Sequence, residues 1–259
     1  MPYLQNHDVQ IHYEVHGHGQ PVVLLHGGTV SFKFNFAHTG WIQVLNEAGF
    51  QVIGLDFRGH GSSAKPHDVS SYGTANLASD VIAVLNHLKI KRASLLGYSI
   101  GTVVSLHLLQ HSAERFNRAV LIATGDGLIG YLPYTFAQIL PALAPVLERE
   151  EYPRDLPKHF AAYWNFVAVT AGDKLALRAL TQASYPSLTE AEAAVIAIPT
   201  LVVSGENDLV LGRGPRLANA LGCGEYLEVA GADHFSLAAD NSTRVAAAQF
   251  LRTFEEAVL

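Results

Sequence analysis

A chain of 259 residues with 49% apolar and 15% charged side chains can bury a full core, which excludes disorder. Its formal charge of −6, with no basic block, excludes an electrostatic nucleic-acid binder. The single cysteine, Cys223, excludes an internal disulfide, and no run approaches the roughly 18 apolar residues of a membrane span.

Met1 to Asp8 lacks a basic region followed by an apolar run, so no signal peptide is read there and a cytoplasmic protein is expected. Val9 to Val15 mixes β-branched and polar residues as a strand would, and a Gly-rich turn follows at Gly17-His18-Gly19-Gln20-Pro21. Val22–Leu25 is a short, wholly apolar run, and similar, mainly apolar runs recur at Gln51–Asp56, Ala93–Gly97, Ala119–Ala123 and Thr200–Ser204, with a last strand at Glu225–Val229. Runs of this kind suit parallel strands covered on both faces. Between them Ala75–Leu88 places Leu77, Val81, Val84, Leu85 and Leu88 on one helical face. Thr102–Leu109 is apolar nearly all round, and Val245–Phe254 closes the chain at helical spacing. Alternating strands and helices predict an α/β fold, a mostly parallel sheet flanked by helices.

The segment from about Asp126 to Ile198 breaks this rhythm. It holds six of the eleven prolines and many aromatic residues, but no strong strand run. It is read as a helical cap inserted at 127–195, with a core built from 1–126 and 196–259.

The residues with chemistry sit where the strands end. Gly97-Tyr98-Ser99-Ile100-Gly101 ends one apolar strand and opens an apolar helix, the strand–turn–helix elbow that an exposed serine nucleophile requires. His26-Gly27-Gly28 and Asp56-Phe57-Arg58-Gly59-His60-Gly61-Ser62 follow two earlier strands. Ser204-Gly205-Glu206-Asn207-Asp208 and Gly231-Ala232-Asp233-His234-Phe235 follow the last two. Together, in this order, the motifs resemble those of the α/β-hydrolase superfamily over nearly the whole chain.

That resemblance implies a Ser99, Asp208, His234 set, with Ser99 as nucleophile, His234 as its base and Asp208 orienting the ring. Glu206, Asp233 and Asp126 remain rival acids. It further implies oxyanion donors at the Gly28 and Ile100 N–H groups. His26 is expected to order its own loop through its ring nitrogens, and Arg58 to brace neighbouring loops. Tyr98, Leu128, Tyr131, Phe136, Trp164 and Phe166 are the expected pocket lining, beside Ile129 and Leu132, and point to a small, largely apolar substrate. Arg154, Lys158 and Arg178 are candidate clamps for a substrate carboxylate, with surface placement as the plainer reading.

Other clusters carry less. His7, His12, His16 and His18 match no zinc spacing and are read as surface and turn residues, so no metal is expected. His107 and His111 are read as helix packing, Glu148–Glu151 as a solvated face, and Gly17-His18-Gly19 lacks the ending of a phosphate loop. No cofactor is expected. The leading reading is a serine hydrolase of small esters or lactones. The alternatives are a C–C bond hydrolase, lyase or cofactor-free oxygenase on the same scaffold, or a non-catalytic ligand receptor. The serine argues against the epoxide-hydrolase and haloalkane-dehalogenase branches, which carry aspartate at the elbow. The sequence marks no oligomer interface.

Overall fold

In the computed structural model the described residues are 2–131, 144, 147, 164–165 and 172–252. The apolar runs become the inner strands β3 (Gln20–Leu25), β4 (Phe50–Leu55), β5 (Ala93–Tyr98), β6 (Phe116–Ile122) and β7 (Thr200–Gly205), with β8 (Gly224–Val229) at one edge. At the other edge β1 (Tyr3–Asn6) and β2 (Val9–His16) form a hairpin, and β2 pairs antiparallel with β4. The order is β1-β2-β4-β3-β5-β6-β7-β8, parallel from β4 to β8. The sequence reading missed β1, a four-residue edge strand with a single buried position, Asn6.

Alternate residues of each inner strand enter opposite cores, as a pleated strand requires. Val23, Leu25, Leu95 and Leu121 face α2 (Thr74–His87) and α3 (Ile100–His111). Val22, Leu24, Leu96 and Val120 face α1 (Trp41–Glu47) and α7 (Asn241–Arg252). A turn of π-helix, Lys33–Ala37, precedes α1 and buries Asn35 and Phe36. The strand order reverses at β3, whose neighbours are β4 and β5. The loops after β3 and β5 therefore diverge from one crevice at the carboxyl edge of the sheet, where open α/β sheets bind ligands.

The hairpin edge corrects one expectation. His12 is neither a surface nor a turn residue: it is 3% exposed, and its Nδ1 lies 3.0 Å from Asp56 Oδ2. β1 pairs with the outer edge of β2, and the pairing of β2 with β4 brings His12 beside Asp56, the residue after β4. His7 and His18 are exposed.

Of the expected cap, most of 132–171 lies outside the described residues, including Phe136, Phe166, Arg154 and Lys158. Its two flanks pack on the core face that carries α2 and α3. Leu128 and Ile129 do so on one side. On the other are Ala176, Ala179 and Leu180 of α4 (Lys174–Gln182), Tyr185, and Ala193 of α5 (Glu190–Ala194). Thr189 and Glu192 close a capping box at the start of α5.

Arg58 holds helix α2 as well as the neighbouring loop it is expected to brace. Its guanidinium donates to both oxygens of Asp80, at 2.8 and 2.7 Å, and to the Ser71 carbonyl at 2.7 Å. Asp80 is fully buried and also accepts from Asn6 Nδ2 at 2.7 Å, which ties β1 to α2. Removing one member of a buried ion pair strands the other charge, at a cost of about 3–5 kcal/mol. Asp80→Ala is expected to lose that much unfolding free energy in urea. A loss below about 1 kcal/mol would show that water already screens the pair.

Candidate active site

Ser99 joins β5 to α3 with φ 53° and ψ −115°, a conformation that L-residues rarely hold. Hydrogen bonds on both sides enforce it. The Ser99 N–H donates to the Ile122 carbonyl at 2.9 Å, and its own carbonyl accepts from the Thr102 N–H at 2.8 Å and the Thr102 hydroxyl at 2.6 Å. Two glycines make room for the bend. A Cβ on Gly101 would strike the Leu25 carbonyl of β3, and one on Gly97 would stand 2.6 Å from the Gly101 carbonyl oxygen.

His234 meets this serine from the loop after β8. Its Nε2 lies 3.0 Å from Ser99 Oγ and its Nδ1 lies 2.8 Å from Asp208 Oδ2. An ionised carboxylate only accepts, so Nδ1 carries the proton and Nε2 is left to accept from the hydroxyl. Asp208 Oδ1 accepts from the Val210 and Leu211 N–H groups at 2.8 and 3.0 Å. Burial works to raise the Asp208 pKa, but the His234 ring and these two N–H donors outweigh it and hold the carboxyl below its usual value. All three side chains are buried: Ser99 is 6% exposed, Asp208 5% and His234 3%.

The rival acids are engaged elsewhere. Asp126 accepts from the Arg216 and Leu217 N–H groups and caps α6 (Pro215–Ala220). Glu206 accepts from the Gly231 N–H, and Asp233 from those of Phe235 and Ser236. Gly28 stands beside Ile100, since a Cβ on Gly28 would be 4.0 Å from Ile100 Cγ2.

A family model described as the α/β-hydrolase fold matches residues 20–169. The chain belongs to the α/β-hydrolase family. It is 33% identical to 3-oxoadipate enol-lactonase 2 of Acinetobacter baylyi, with 78% of each chain covered. Among solved structures it resembles a hydrolase from Pseudomonas aeruginosa PA01, with TM-score 0.78, 25% identity and coverage of 96% of this chain and 97% of that one. It also resembles Est816, described as an N-acyl homoserine lactone degrading enzyme, with TM-score 0.73, 28% identity and coverage of 98% and 100%.

In this α/β-hydrolase the site opens on a cavity of about 150 Å³. Ser99, His234, Gly28 and Tyr98 line it, and so do residues the sequence reading missed: Phe34 and Asn35 of the π-turn, Phe235, Ala238 and Ala239. Asn35 had a signal, as an amide set between phenylalanines in Phe32-Lys33-Phe34-Asn35-Phe36. Two of the expected lining residues lie elsewhere among the described residues. Leu128 is packed in the core. Tyr131 is 46% exposed, donates to Glu190 and lies under the Arg216 guanidinium. Trp164 is half-buried. The Tyr98 hydroxyl donates to the His234 carbonyl at 2.5 Å and fixes that loop against β5.

The loop after β3 is held by imidazoles. His26 donates from Nδ1 to the Gly27 carbonyl at 2.7 Å and accepts the Phe57 N–H on Nε2 at 3.0 Å, so it does order this loop. His60 accepts the Thr29 N–H on Nε2 at 3.2 Å and donates to the Arg58 carbonyl at 3.1 Å. Asp56 accepts from the Phe32 and Ser62 N–H groups at 2.9 and 2.8 Å. The His107 and His111 rings lie 4.3 Å apart at a tilt of 54° on α3 and do not line this cavity. No described helix is long and apolar enough to cross a membrane, and no three metal-ligating side chains cluster among the described residues.

Burial, with the neighbouring His26 ring, pushes the His60 pKa down to about 3 from 6.5. The unfolded chain therefore binds a proton below pH 6.5 that the folded chain refuses, so stability is full above that pH and falls as pH drops toward 3. Each pH unit in this window removes up to about 1.4 kcal/mol per such histidine. Between pH 6.5 and 4.5 the wild type is expected to lose about 2 kcal/mol more than His60→Gln in urea titrations. Parallel pH profiles for the two proteins would mean that His60 titrates normally.

Proposed function

We propose that this hydrolase is a serine hydrolase that cleaves small, largely apolar esters or lactones through an acyl-enzyme on Ser99. The carrying observation is the unbroken chain Ser99 Oγ, His234 Nε2, His234 Nδ1, Asp208 Oδ2, with contacts of 3.0 and 2.8 Å. A neutral serine hydroxyl is a weak nucleophile until a base removes its proton. His234 takes that proton as Oγ attacks the carbonyl carbon, and Asp208 stabilises the imidazolium that forms.

The carbonyl oxygen then carries a negative charge. The N–H groups of Gly28 and Ile100 are the proposed donors to it, each worth about 10²–10³ in rate. Collapse of the tetrahedral intermediate breaks the bond to the leaving oxygen, which receives the proton from His234 Nε2. Water then gives its proton to the same nitrogen and attacks the acyl carbon. A second collapse releases the acid and restores the Ser99 hydroxyl.

Apolar walls support a substrate with few charges, and the lactone named for two similar proteins supports lactones within its range. The test is turnover of p-nitrophenyl acetate and butyrate. Ser99→Ala is expected to lose about 10³-fold or more in kcat/KM, and Asp208→Asn about 10³–10⁴-fold. Equal rates for wild type and Ser99→Ala would remove the serine mechanism. Tight ester binding without turnover would make the site a receptor.

A further inference from the structure

We propose that Asn35 reads the substrate, donating a hydrogen bond from its side-chain amide to a second acceptor oxygen in the acyl part of the ester or lactone. This rests on the serine-hydrolase reading. Asn35 lies in the π-turn, is 4% exposed and lines the cavity that holds Ser99. Its Oδ1 accepts the Gly27 N–H at 2.8 Å, which fixes the amide's orientation. Its Nδ2 has no hydrogen-bond partner among the described residues. Asn35 lines the cavity, so this donor is free to meet a ligand acceptor there.

Among the described residues, the rest of the wall leaves little else to recognise polarity. The Thr39 hydroxyl is engaged with the Asn35 carbonyl at 2.6 Å. Val30, Phe34, Phe235, Ala238 and Ala239 offer apolar side chains. Among the described residues, beyond the groups that would carry the reaction, the Asn35 amide is the donor available to mark one substrate from another.

Its position assigns it to the acyl side. The leaving oxygen must reach His234 Nε2 to take its proton. Asn35 belongs instead to the wall formed with the loop after β3: a Cβ built on Gly27 would lie 3.4 Å from Asn35 Oδ1 and 3.6 Å from Ser99 Cβ, whereas His234 comes from the loop after β8. An acyl group lying along that wall passes the amide. The substrate class is therefore a small ester or lactone with an oxo or alkoxy oxygen near its carbonyl, in preference to a plain hydrocarbon acyl group.

A matched pair tests this. p-Nitrophenyl methoxyacetate and butyrate differ by one ether oxygen in place of a methylene. Wild type is expected to favour the methoxyacetate, in kcat/KM, by more than hydroxide ion does. Asn35→Asp keeps an oxygen for the Gly27 N–H and replaces the donor with an acceptor. It is expected to lower the methoxyacetate-to-butyrate ratio about tenfold. An equal fall for both esters would mean that Asn35 only anchors its loop, and would overturn the proposal. Turnover no faster than Ser99→Ala would instead remove the serine reading beneath it. If Asn35→Asp fails to fold, wild type alone decides. Methoxyacetone is expected to inhibit several-fold more tightly than pentan-2-one, and equal inhibition constants overturn the proposal.

Discussion

The structure depends on the close approach of α3 to the end of β3. Gly101 brings the first turn of α3 against the Leu25 carbonyl, where any side chain would collide, and Gly97 lets β5 meet the same turn. That contact holds Ser99 in its strained conformation and sets Ile100 beside Gly28. Strand order supplies the other half of the constraint. Because β3 and β5 are neighbours whose connections run to opposite sides, their terminal loops open away from each other and leave room for a substrate between them. Strain at one residue is sustained because packing on both cores and three hydrogen bonds over-determine it.

A second requirement follows. The loop after β3 carries a proposed oxyanion donor, and a loop that drifts by an ångström stabilises little. His26 and His60 meet this need with groups that a simpler side chain lacks: each ring accepts a backbone N–H at one nitrogen and donates to a carbonyl at the other. Burial lowers the pKa of both rings and so disfavours positive charge beside the serine. Asp56 supplies a negative charge to this brace. Burial opposes its ionisation, but His26, the Ser62 and Phe32 N–H groups and His12 prevail and hold its carboxyl below the ordinary value.

Much of this was legible in the sequence because parallel strands covered on both faces must be apolar throughout, and the elbow glycines follow from its geometry. What could not be read depended on neighbours distant in the chain. His12 looks like a surface histidine until the pairing of β2 with β4 brings it beside Asp56. In the sequence Asp208 stands out from Glu206, Asp233 and Asp126 only through the family resemblance; the folded loops show all four accepting backbone N–H groups, and Asp208 facing His234. Leu128 and Tyr131 seemed fit to line a pocket because aromatic and apolar residues serve both cores and clefts. The π-turn went unread because five residues carry no periodicity.

That turn matters most for the proposed specificity. Asn35 holds Gly27 with one end of its amide and presents the other to the cavity, so a single planar group links the position of the loop to the proposed recognition of the acyl chain. A rotation that improved one contact would break the other, since the two ends are rigidly joined. A substrate oxygen that meets Nδ2 therefore also tightens the orientation in which Oδ1 receives the Gly27 N–H. Binding energy from a part of the substrate that does not react would thereby steady the donor loop that acts on the part that does, which is how remote contacts come to raise kcat as well as affinity.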